Sequence, residues 1–400
     1  MKAKILIFLT RFPYPAIDGT RHKILDDVIA GLATTFELTF LVVTDEPVSQ
    51  EQTNYLESNY GKVILFTYPK WRVRLNALLG LLSKYPLQAN YYYFQAVQAW
   101  FTKEIDTFDA VYVHTLRLGK YLELLDKKQQ KKIMLDFNDA VSLNYAEARK
   151  KASFLWRVIY SIEMKRVVKY EKKLLDTLTY FNVVSEFDRT HLLQETQRQD
   201  IVFKSIPHGV NSSLFNTTYN PQKKQLVFMG NLSYPPNFDA MQHFLERVFP
   251  KIQEIDPDIH LCIIGKGNKL AKKVQKNVTF TGFVDDPTQI IATSSLFVAP
   301  LRFGAGMPTK ILEAMALGMP VITTPLGARG ITGLNHEENV FIQRIDDVTG
   351  WVNAITALLD NETLRRKVGY NARQLIQEHY SDKVAAQAFC NFFSEIITTT

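Results

Sequence analysis

Short apolar runs alternate with segments of helical periodicity along the chain. A run such as KILIFL is almost continuously apolar, which is typical of a strand buried on both faces of a sheet. In the first half of the chain such runs lie at residues 4–9, 37–43, 62–68, 108–114, 131–137 and 179–185. An amphipathic helix is predicted over residues 20–34, between the first two runs. Repeated strand–helix units predict a parallel sheet with right-handed crossovers.

A segment rich in Pro, Gly, Asn and Ser interrupts this alternation at residues 206–225, which indicates a linker. The alternation then restarts, with apolar runs at residues 224–230, 260–265, 277–282, 294–300, 319–324 and 339–343. Helices are predicted between them, at residues 237–254, 267–275, 286–293, 308–317, 347–360 and 362–378. The pattern therefore predicts an α/β protein of two doubly wound domains joined near 211–224, with ligands bound at the carboxyl ends of the strands and in a crevice shared by the domains.

Composition limits the class of protein. The chain has 400 residues, 46% of them apolar and 22% charged, which excludes a disordered or coiled-coil chain. The two cysteines, Cys262 and Cys390, exclude a disulfide framework and a cysteine-based metal site. The apolar run at residues 5–9 is too short for a signal peptide, and no run reaches the 18 or so apolar residues of a transmembrane helix. We therefore expect a cytoplasmic protein.

The positive charge lies almost wholly in the first half. The net charge is +7, and residues 1–215 contain 29 Lys and Arg against 23 Asp and Glu. Nine basic residues cluster at residues 149–173, where they alternate with apolar and aromatic residues at helical spacing. Such a segment is either a packed helix with a solvated basic side or a surface for anionic lipid, which would place the protein at the inner face of the membrane. A second candidate is the basic-flanked apolar segment 71–94.

The densest chemistry lies in PLRFGAGMPTKILEAMALGMPVITTP, residues 300–325. A glycine loop containing Gly304 and Gly306 runs from a strand into the first turn of a helix, which is a ready site for an anion. Arg302 and Lys310 add two cations. Lys310 and Glu313 share one helix face, where they are either an ordinary surface pair or a cation for phosphate beside a carboxylate for ribose hydroxyls.

This segment resembles the nucleotide-binding signature of retaining GT-B glycosyltransferases of family 4, also called glycosyl transferases group 1. Those enzymes have a glycine loop, a helix reading K-x-x-E-A-M-A-x-G and a strand beginning P-V-I, and KILEAMALGMPVITT matches this pattern. Further segments that resemble the family, in the family's order, are residues 13–21, 206–215, 228–240, 263–269 and 280–287. The resemblance implies two Rossmann-like domains that face a central cleft.

The resemblance also implies roles for individual residues. The glutamate matching Glu313 holds the ribose of the donor nucleotide, and Phe283 is placed to stack on its base. A histidine matching His114 lies beside the donor sugar, and the alternative for His114 is a core or capping role. The other donor-site residues that the resemblance implies, mostly glycine-loop positions near the diphosphate, are Gly19, Gly230, Gly304, Ala305, Gly306 and Met307.

Two positions depart from the family pattern. Ala305 stands where many members have a first glutamate, and no basic residue follows the strand–glycine turn in GNLSYPPN. We therefore expect Arg302 and Lys310 to stabilise the leaving diphosphate, with His114 as the third catalytic residue. Asp136 and Asp139 could act as a base, but a structural or acceptor-binding role is favoured for them. The family implies no metal and no cofactor.

These observations predict a domain organisation and a function. We expect an acceptor-binding domain at 1–212, a nucleotide-sugar domain at 213–380 and a terminal helix at 381–400 that returns to the first domain. The predicted reaction transfers a hexose-type sugar, with retention, from a nucleotide-diphosphate sugar to a saccharide or lipid-linked saccharide in surface polysaccharide or glycoconjugate synthesis. Alternatives are a non-catalytic partner subunit and a nucleotide-sugar epimerase. The expected partners are the nucleotide sugar, the acceptor and an anionic membrane surface, and no nucleic acid.

Overall fold

The computed structural model describes residues 2–15, 23–151, 153–222, 224–267, 270, 276–304 and 306–399. The chain divides into two compact units. The N-terminal unit comprises Met1–Gly209 with Asp382–Thr400, and the C-terminal unit comprises Val210–Ser381.

The N-terminal unit contains a parallel sheet with the strand order β3-β2-β1-β4-β5-β6-β7 among the described residues. The strands are β1 (Lys4–Leu9), β2 (Glu37–Thr44), β3 (Gly61–Thr67), β4 (Ala110–His114), β5 (Ile133–Asp136), β6 (Tyr180–Val183) and β7 (Val202–Ser205). The α-helices are α1 (Ala30–Thr35), α2 (Gln50–Asn59), α3 (Lys70–Leu79), α4 (Leu87–Tyr91), α5 (Gln95–Glu104), α6 (Lys127–Lys131), α7 (Val141–Lys151), α8 (Phe154–Thr177) and α9 (Glu186–Leu193). A π-helical segment spans Lys23–Ile29, and 3-10 segments span Gly80–Leu82, Ile105–Thr107 and Leu116–Leu124.

Both faces of this sheet are buried, which explains the continuous apolar runs. Along β1, Leu6 and Phe8 belong to one apolar core, whereas Ile5 and Ile7 belong to the core on the opposite face. The last helix of the chain, defined as α17 below, covers this second face with the apolar side chains Ala385, Phe389, Phe392, Phe393 and Ile396. The sheet of the N-terminal unit is therefore a central layer between two helical layers.

The C-terminal unit repeats this architecture with the strand order β10-β9-β8-β11-β12-β13, also parallel among the described residues. The strands are β8 (Gln225–Met229), β9 (His260–Ile264), β10 (Val278–Gly282), β11 (Leu296–Ala299), β12 (Val321–Thr323) and β13 (Phe341–Ile342). The α-helices are α10 (Pro235–His243), α11 (Phe249–Ile255), α12 (Thr288–Ala292), α13 (Thr309–Ala316), α14 (Pro325–Ala328), α15 (Val348–Asp360) and α16 (Glu362–His379), and α17 (Asp382–Thr399) belongs to the other unit. A 3-10 segment spans Ser212–Asn216, and a π-helical segment, Phe244–Val248, separates α10 from α11.

The predicted α/β architecture with two parallel sheets is confirmed. The sequence pattern missed β7, which is only four residues long and lies at the edge of its sheet. The helix predicted over 267–275 falls mostly outside the described residues. Among the described residues, no helix is both long enough and apolar enough to cross a membrane.

Candidate functional site

The carboxyl ends of β8 and β11 flank the point where the strand order of the C-terminal unit reverses. In an open parallel sheet this switch point is where ligands bind. Gly230 follows β8, and the glycine loop follows β11. Within that loop Gly304 has φ 135° and Gly306 has φ 79°, conformations that favour glycine. Ala305 lies outside the described residues.

Lys310 lies in the first turn of α13, directly after this loop. Its side chain is half-buried, and its Nζ donates a hydrogen bond to Asn237 Oδ1 and lies 4.7 Å from the ring centroid of Phe228. Burial lowers the pKa of Lys310 to about 8, and the negative charge of Glu313 acts in the opposite direction. A desolvated ammonium with a neutral hydrogen-bond acceptor is a site that an anion would stabilise.

Gly230 makes room for this ammonium group. A Cβ atom at Gly230 would come within 2.7 Å of Asn237 Nδ2 and within 2.9 Å of Lys310 Nζ. Because real Cβ contacts are longer, any larger residue would displace both side chains. Asn237 Nδ2 in turn donates to the backbone oxygen of Asn231, at 3.0 Å. The glycine is therefore required for the position of Lys310, and the turn that follows β8 is part of the site.

Arg302 is held by a different partner. Its Nε lies 3.5 Å from Asp239 Oδ2, and its side chain is 38% exposed. Both residues line a cavity of about 440 Å³ that also includes the charged residues Glu246, Arg247 and Asp346. Asn237 and Asp239 are both on α10, so one helix supplies the acceptor for each of the two cations predicted at the donor site. Sequence reasoning missed these two residues, because GNLSYPPNFDA lacks the basic residue sought there.

The other predicted donor residues also follow strands of this sheet or lie on α13. Phe283 follows β10, is 62% exposed and has the Lys266 ammonium 4.5 Å from its ring centroid. Glu313 is half-buried on α13, one turn after Lys310, and Met307 is buried beside Gly330. The carboxyl ends of parallel strands lie at one edge of the sheet, so the segments after β8, β10 and β11 all begin at that edge.

In the N-terminal unit the strand order reverses between β1 and β4. A cavity of about 300 Å³ lies at the carboxyl ends of these strands, with Thr10, Arg11, His114 and Asp139 among its lining residues. Gly19, predicted on the first loop of this unit, lies outside the described residues. This cavity contains two of the three N-terminal candidates that the structure describes, His114 and Asp139.

His114 belongs to a buried network. The Tyr112 hydroxyl lies 2.7 Å from Asp136 Oδ2 and 3.1 Å from His114 Nδ1. Burial, with the charge of Asp136, raises the pKa of Tyr112 well above its usual range, so the hydroxyl keeps its single proton. Donation of that proton to the carboxylate leaves the hydroxyl oxygen to accept from His114 Nδ1. The ring therefore carries its lone pair on Nε2 when neutral.

The two aspartates have different environments. Asp136 is fully buried, and its Oδ1 accepts hydrogen bonds from the Asn138 amide at 2.9 Å and from Asn182 Nδ2 at 3.1 Å. Asp139 lines the cavity, where its Oδ2 accepts from Asn138 Nδ2 at 2.7 Å. Of the two, Asp139 is the carboxylate placed to meet a ligand, and Asp136 acts through Tyr112.

The cavity contains residues that sequence reasoning did not select. Arg11 comes two residues after β1, Arg117 comes three residues after β4, and Asn144 and Tyr145 are on α7. The buried Glu171 fixes α7, since its Oε1 accepts from the Ser142 amide at 3.0 Å. The carboxyl-end rule could have found the two arginines, because β1 and β4 are neighbours.

No group of three or more His, Cys, Asp or Glu residues suited to a metal ion occurs in the part of the chain that the structure describes.

Two doubly wound parallel α/β units, one with a half-buried ammonium beside a glycine loop, are typical of two-domain enzymes that act on nucleotide-linked substrates. Comparison with known proteins makes this specific. Residues 223–361 match the family Glycosyl transferases group 1. A 44.6 kDa protein of the cps region of Klebsiella pneumoniae is 26% identical over 98% of this chain and 100% of its own length.

A second relative and a solved structure agree with this match. The phosphatidyl-myo-inositol mannosyltransferase of Mycobacterium leprae is 27% identical over 46% of this chain and 51% of its own length. The crystal structure of Anabaena HepE in complex with UDP covers 98% of this chain and 100% of its own, with a TM-score of 0.63 at 15% identity. These comparisons agree with the predicted family, whose model covers residues 223–361, and they confirm a glycosyltransferase with the predicted GT-B fold.

Proposed function

We propose that this glycosyltransferase moves a hexose-type sugar from a nucleotide-diphosphate sugar to a lipid-linked saccharide, with retention, in surface polysaccharide or glycoconjugate synthesis. The observation that carries the proposal is the half-buried ammonium of Lys310 at the N-terminus of α13. It follows a glycine loop at the switch point of the sheet and is positioned by Asn237. This arrangement fits a diphosphate, whose negative charge would offset the cost of desolvating the ammonium.

The proposed mechanism follows from this charge. Cleavage of the sugar–phosphate bond leaves an additional negative charge on the departing diphosphate. The Lys310 ammonium, together with the amide groups of the glycine loop, would stabilise that charge as it develops. Arg302 would assist after leaving Asp239. In the retaining reaction the acceptor hydroxyl attacks from the side of the leaving group, so the leaving phosphate itself takes the proton. No metal or cofactor takes part in the proposed reaction.

An exposed surface of the N-terminal unit supports the proposal that the acceptor is linked to a lipid. The side chains of Trp71, Leu78, Leu79 and Leu82, on α3 and the following 3-10 segment, are between 61% and 99% exposed. Lys70, Arg72, Arg74 and Lys84 are exposed around them. We call this set of residues the apolar–basic face. Exposed apolar side chains within a basic surface suit the interface of an anionic membrane.

The basic segment on α8 adjoins this face. Arg166 donates to the backbone oxygen of Leu81 and pairs with Glu163 at 2.7 Å, and Glu163 accepts from the Leu87 amide at 2.9 Å. Arg166 therefore holds α8 against the 3-10 segment Gly80–Leu82. On the neighbouring half of α8, Phe154 and Trp156 are exposed. A membrane-bound enzyme would meet lipid-linked acceptors, and the mycobacterial relative is named for a phospholipid acceptor, phosphatidyl-myo-inositol.

Nucleotide binding tests the proposal. We expect thermal-shift and calorimetric titrations with UDP, GDP, ADP and dTDP sugars to identify one nucleotide that stabilises the wild-type chain. Lys310→Met and Glu313→Ala should each lose that binding while remaining folded. Lys367→Met, which changes an exposed lysine of the same unit, is the matched control and should bind as the wild type does. Binding by no nucleotide, or undiminished binding by both site variants, would contradict the proposed donor site.

A further inference from the structure

The cavity of the N-terminal unit has a feature that the donor site does not require. The described residues that line it include two arginines, Arg11 and Arg117. The two arginines follow adjacent strands, β1 and β4, and both come after the carboxyl ends of those strands. The sheet thus brings two permanent positive charges to one concave site of about 300 Å³.

The charge of Arg117 is poorly compensated. Burial lowers the pKa of Arg117, and the positive charge of Arg11 lowers it further, while Tyr92, Tyr145 and Asp45 act in the opposite direction. Arg117 Nε donates to the neutral Gln88 Oε1 at 3.2 Å. Among the described residues, neither arginine forms an ion pair with a carboxylate. Two like charges that act on each other in a desolvated site favour the binding of an anion.

Neutral hydrogen-bond donors complete the walls. Tyr145 and Asn144 of α7 line the same cavity. Burial raises the pKa of Tyr145 to about 12, so its hydroxyl remains protonated and can donate at any physiological pH. Among the lining residues that the structure describes, the one carboxylate is that of Asp139, which accepts from Asn138 Nδ2 at 2.7 Å. Two arginines, an amide side chain and a phenol are the kinds of donor that bind an oxyanion. Guanidinium groups in particular match the geometry of a phosphoryl group.

The backbone between the catalytic candidate and Arg117 is strained. Thr115 has φ 71° and ψ 153°, a conformation that is unfavourable for a β-branched residue. The Thr115 amide donates to the backbone carbonyl oxygen of Asp136 at 2.7 Å, which helps to hold the turn in place. The turn puts both His114 and Arg117 on the wall of the cavity. Strain of this kind persists where the surrounding structure imposes it, often at a binding site.

We propose that Arg11 and Arg117 form a subsite for a phosphoryl group carried by the acceptor, such as the phosphate or diphosphate that links a saccharide to its lipid. The assignment of this phosphoryl group to the acceptor rests on the proposed function, whereas the presence of an anion site does not. His114 lines the same cavity, so an acceptor held there by its phosphoryl group would have its sugar hydroxyls near the histidine. The subsite would favour anionic lipid-linked acceptors over neutral saccharides.

Calorimetric titration of the full chain tests this subsite. The probes are farnesyl diphosphate, farnesol and inorganic pyrophosphate, each with and without a saturating concentration of the nucleotide identified by the titrations above. The variants are Arg11→Gln and Arg117→Gln, and the control is Lys103→Gln, which removes one exposed charge of the same unit. Losing a charge-assisted hydrogen bond costs about 1.5–3 kcal/mol, so we expect each arginine variant to bind farnesyl diphosphate about 10- to 100-fold more weakly. The control should bind as the wild type does.

Comparing the probes distinguishes a lipid-linked phosphoryl group from a free one. Tighter arginine-dependent binding of farnesyl diphosphate than of pyrophosphate supports a lipid-linked ligand. Equal, arginine-dependent binding of both supports a site that recognises the phosphoryl group alone. Farnesyl diphosphate binding that is unchanged in both arginine variants would overturn the subsite, and so would equal binding of farnesol. If none of the four nucleotides binds, the proposed function is contradicted instead, because the comparison among arginine variants does not depend on a bound nucleotide.

Discussion

Replacing Lys310 with Met should make the unliganded protein more stable at neutral pH. The pKa of Lys310 falls from 10.5 to about 8 because its ammonium is desolvated. At 1.36 kcal/mol for each pKa unit, the charged form costs the folded state about 3 kcal/mol. Methionine removes this cost but leaves Asn237 Oδ1 without the Lys310 donor, which costs roughly 1 kcal/mol. The net gain of about 2 kcal/mol corresponds to an increase in Tm of about 4–8 °C for a unit of this size.

The pH dependence makes this prediction specific. The folded protein loses the Lys310 proton near pH 8 and the unfolded chain loses it near pH 10.5. Between these values the unfolded chain binds more protons, so this lysine makes stability rise with pH, whereas below pH 8 its full cost is present. Thermal melting of the wild type, Lys310→Met and Lys367→Met from pH 6.5 to 10 measures the difference. A constant difference between wild type and Lys310→Met across that range, or a Lys310→Met variant less stable at pH 7, would refute the reasoning.

Two further predictions concern the N-terminal unit. Tyr112→Phe removes the hydroxyl between Asp136 and His114, and we expect turnover to fall about tenfold with a shifted pH–rate profile but unchanged nucleotide affinity. The control is Tyr180→Phe in the same sheet, and equal pH–rate profiles for both variants would exclude this role for Tyr112. Trp71→Ser with Leu82→Ser should weaken binding to anionic liposomes at least tenfold in flotation, because two exposed apolar side chains would no longer enter the membrane, a loss of more than 1.4 kcal/mol. Ile255→Ser is the exposed apolar control, and undiminished flotation of the Trp71/Leu82 double variant would exclude the apolar–basic face.

Sequence patterns predicted the repeating architecture well, for a physical reason. Strands buried on both faces, such as β1 and β4, must be apolar along their whole length, so the pattern reveals them directly. The π-helical segments at Lys23–Ile29 and Phe244–Val248 were predicted simply as helix, because the apolar periodicity there is close to that of an α-helix. The edge strand β7 was missed because four residues give too short a pattern.

The candidate site was only partly predictable. The glycine loop and Lys310 were found because they are close together in sequence and form a known type of anion site. Asn237 was missed because its contact with Lys310 joins residues 73 positions apart. Arg11 and Arg117 were missed because a cavity depends on which strands become neighbours. The pairing of Arg302 with Asp239 likewise depends on how α10 packs beside the glycine loop.

The central claim is the transfer of a sugar from a nucleotide to a lipid-linked acceptor. The most direct test incubates the purified chain with a panel of radiolabelled nucleotide-diphosphate sugars and bacterial lipid extract, and then measures the label in the lipid phase. We expect the wild type and Lys367→Met to transfer label from one nucleotide sugar, and Lys310→Met to transfer essentially none. If no nucleotide sugar labels the lipid, or if Lys310→Met labels it as fast as the wild type, the proposed function or its donor site is wrong.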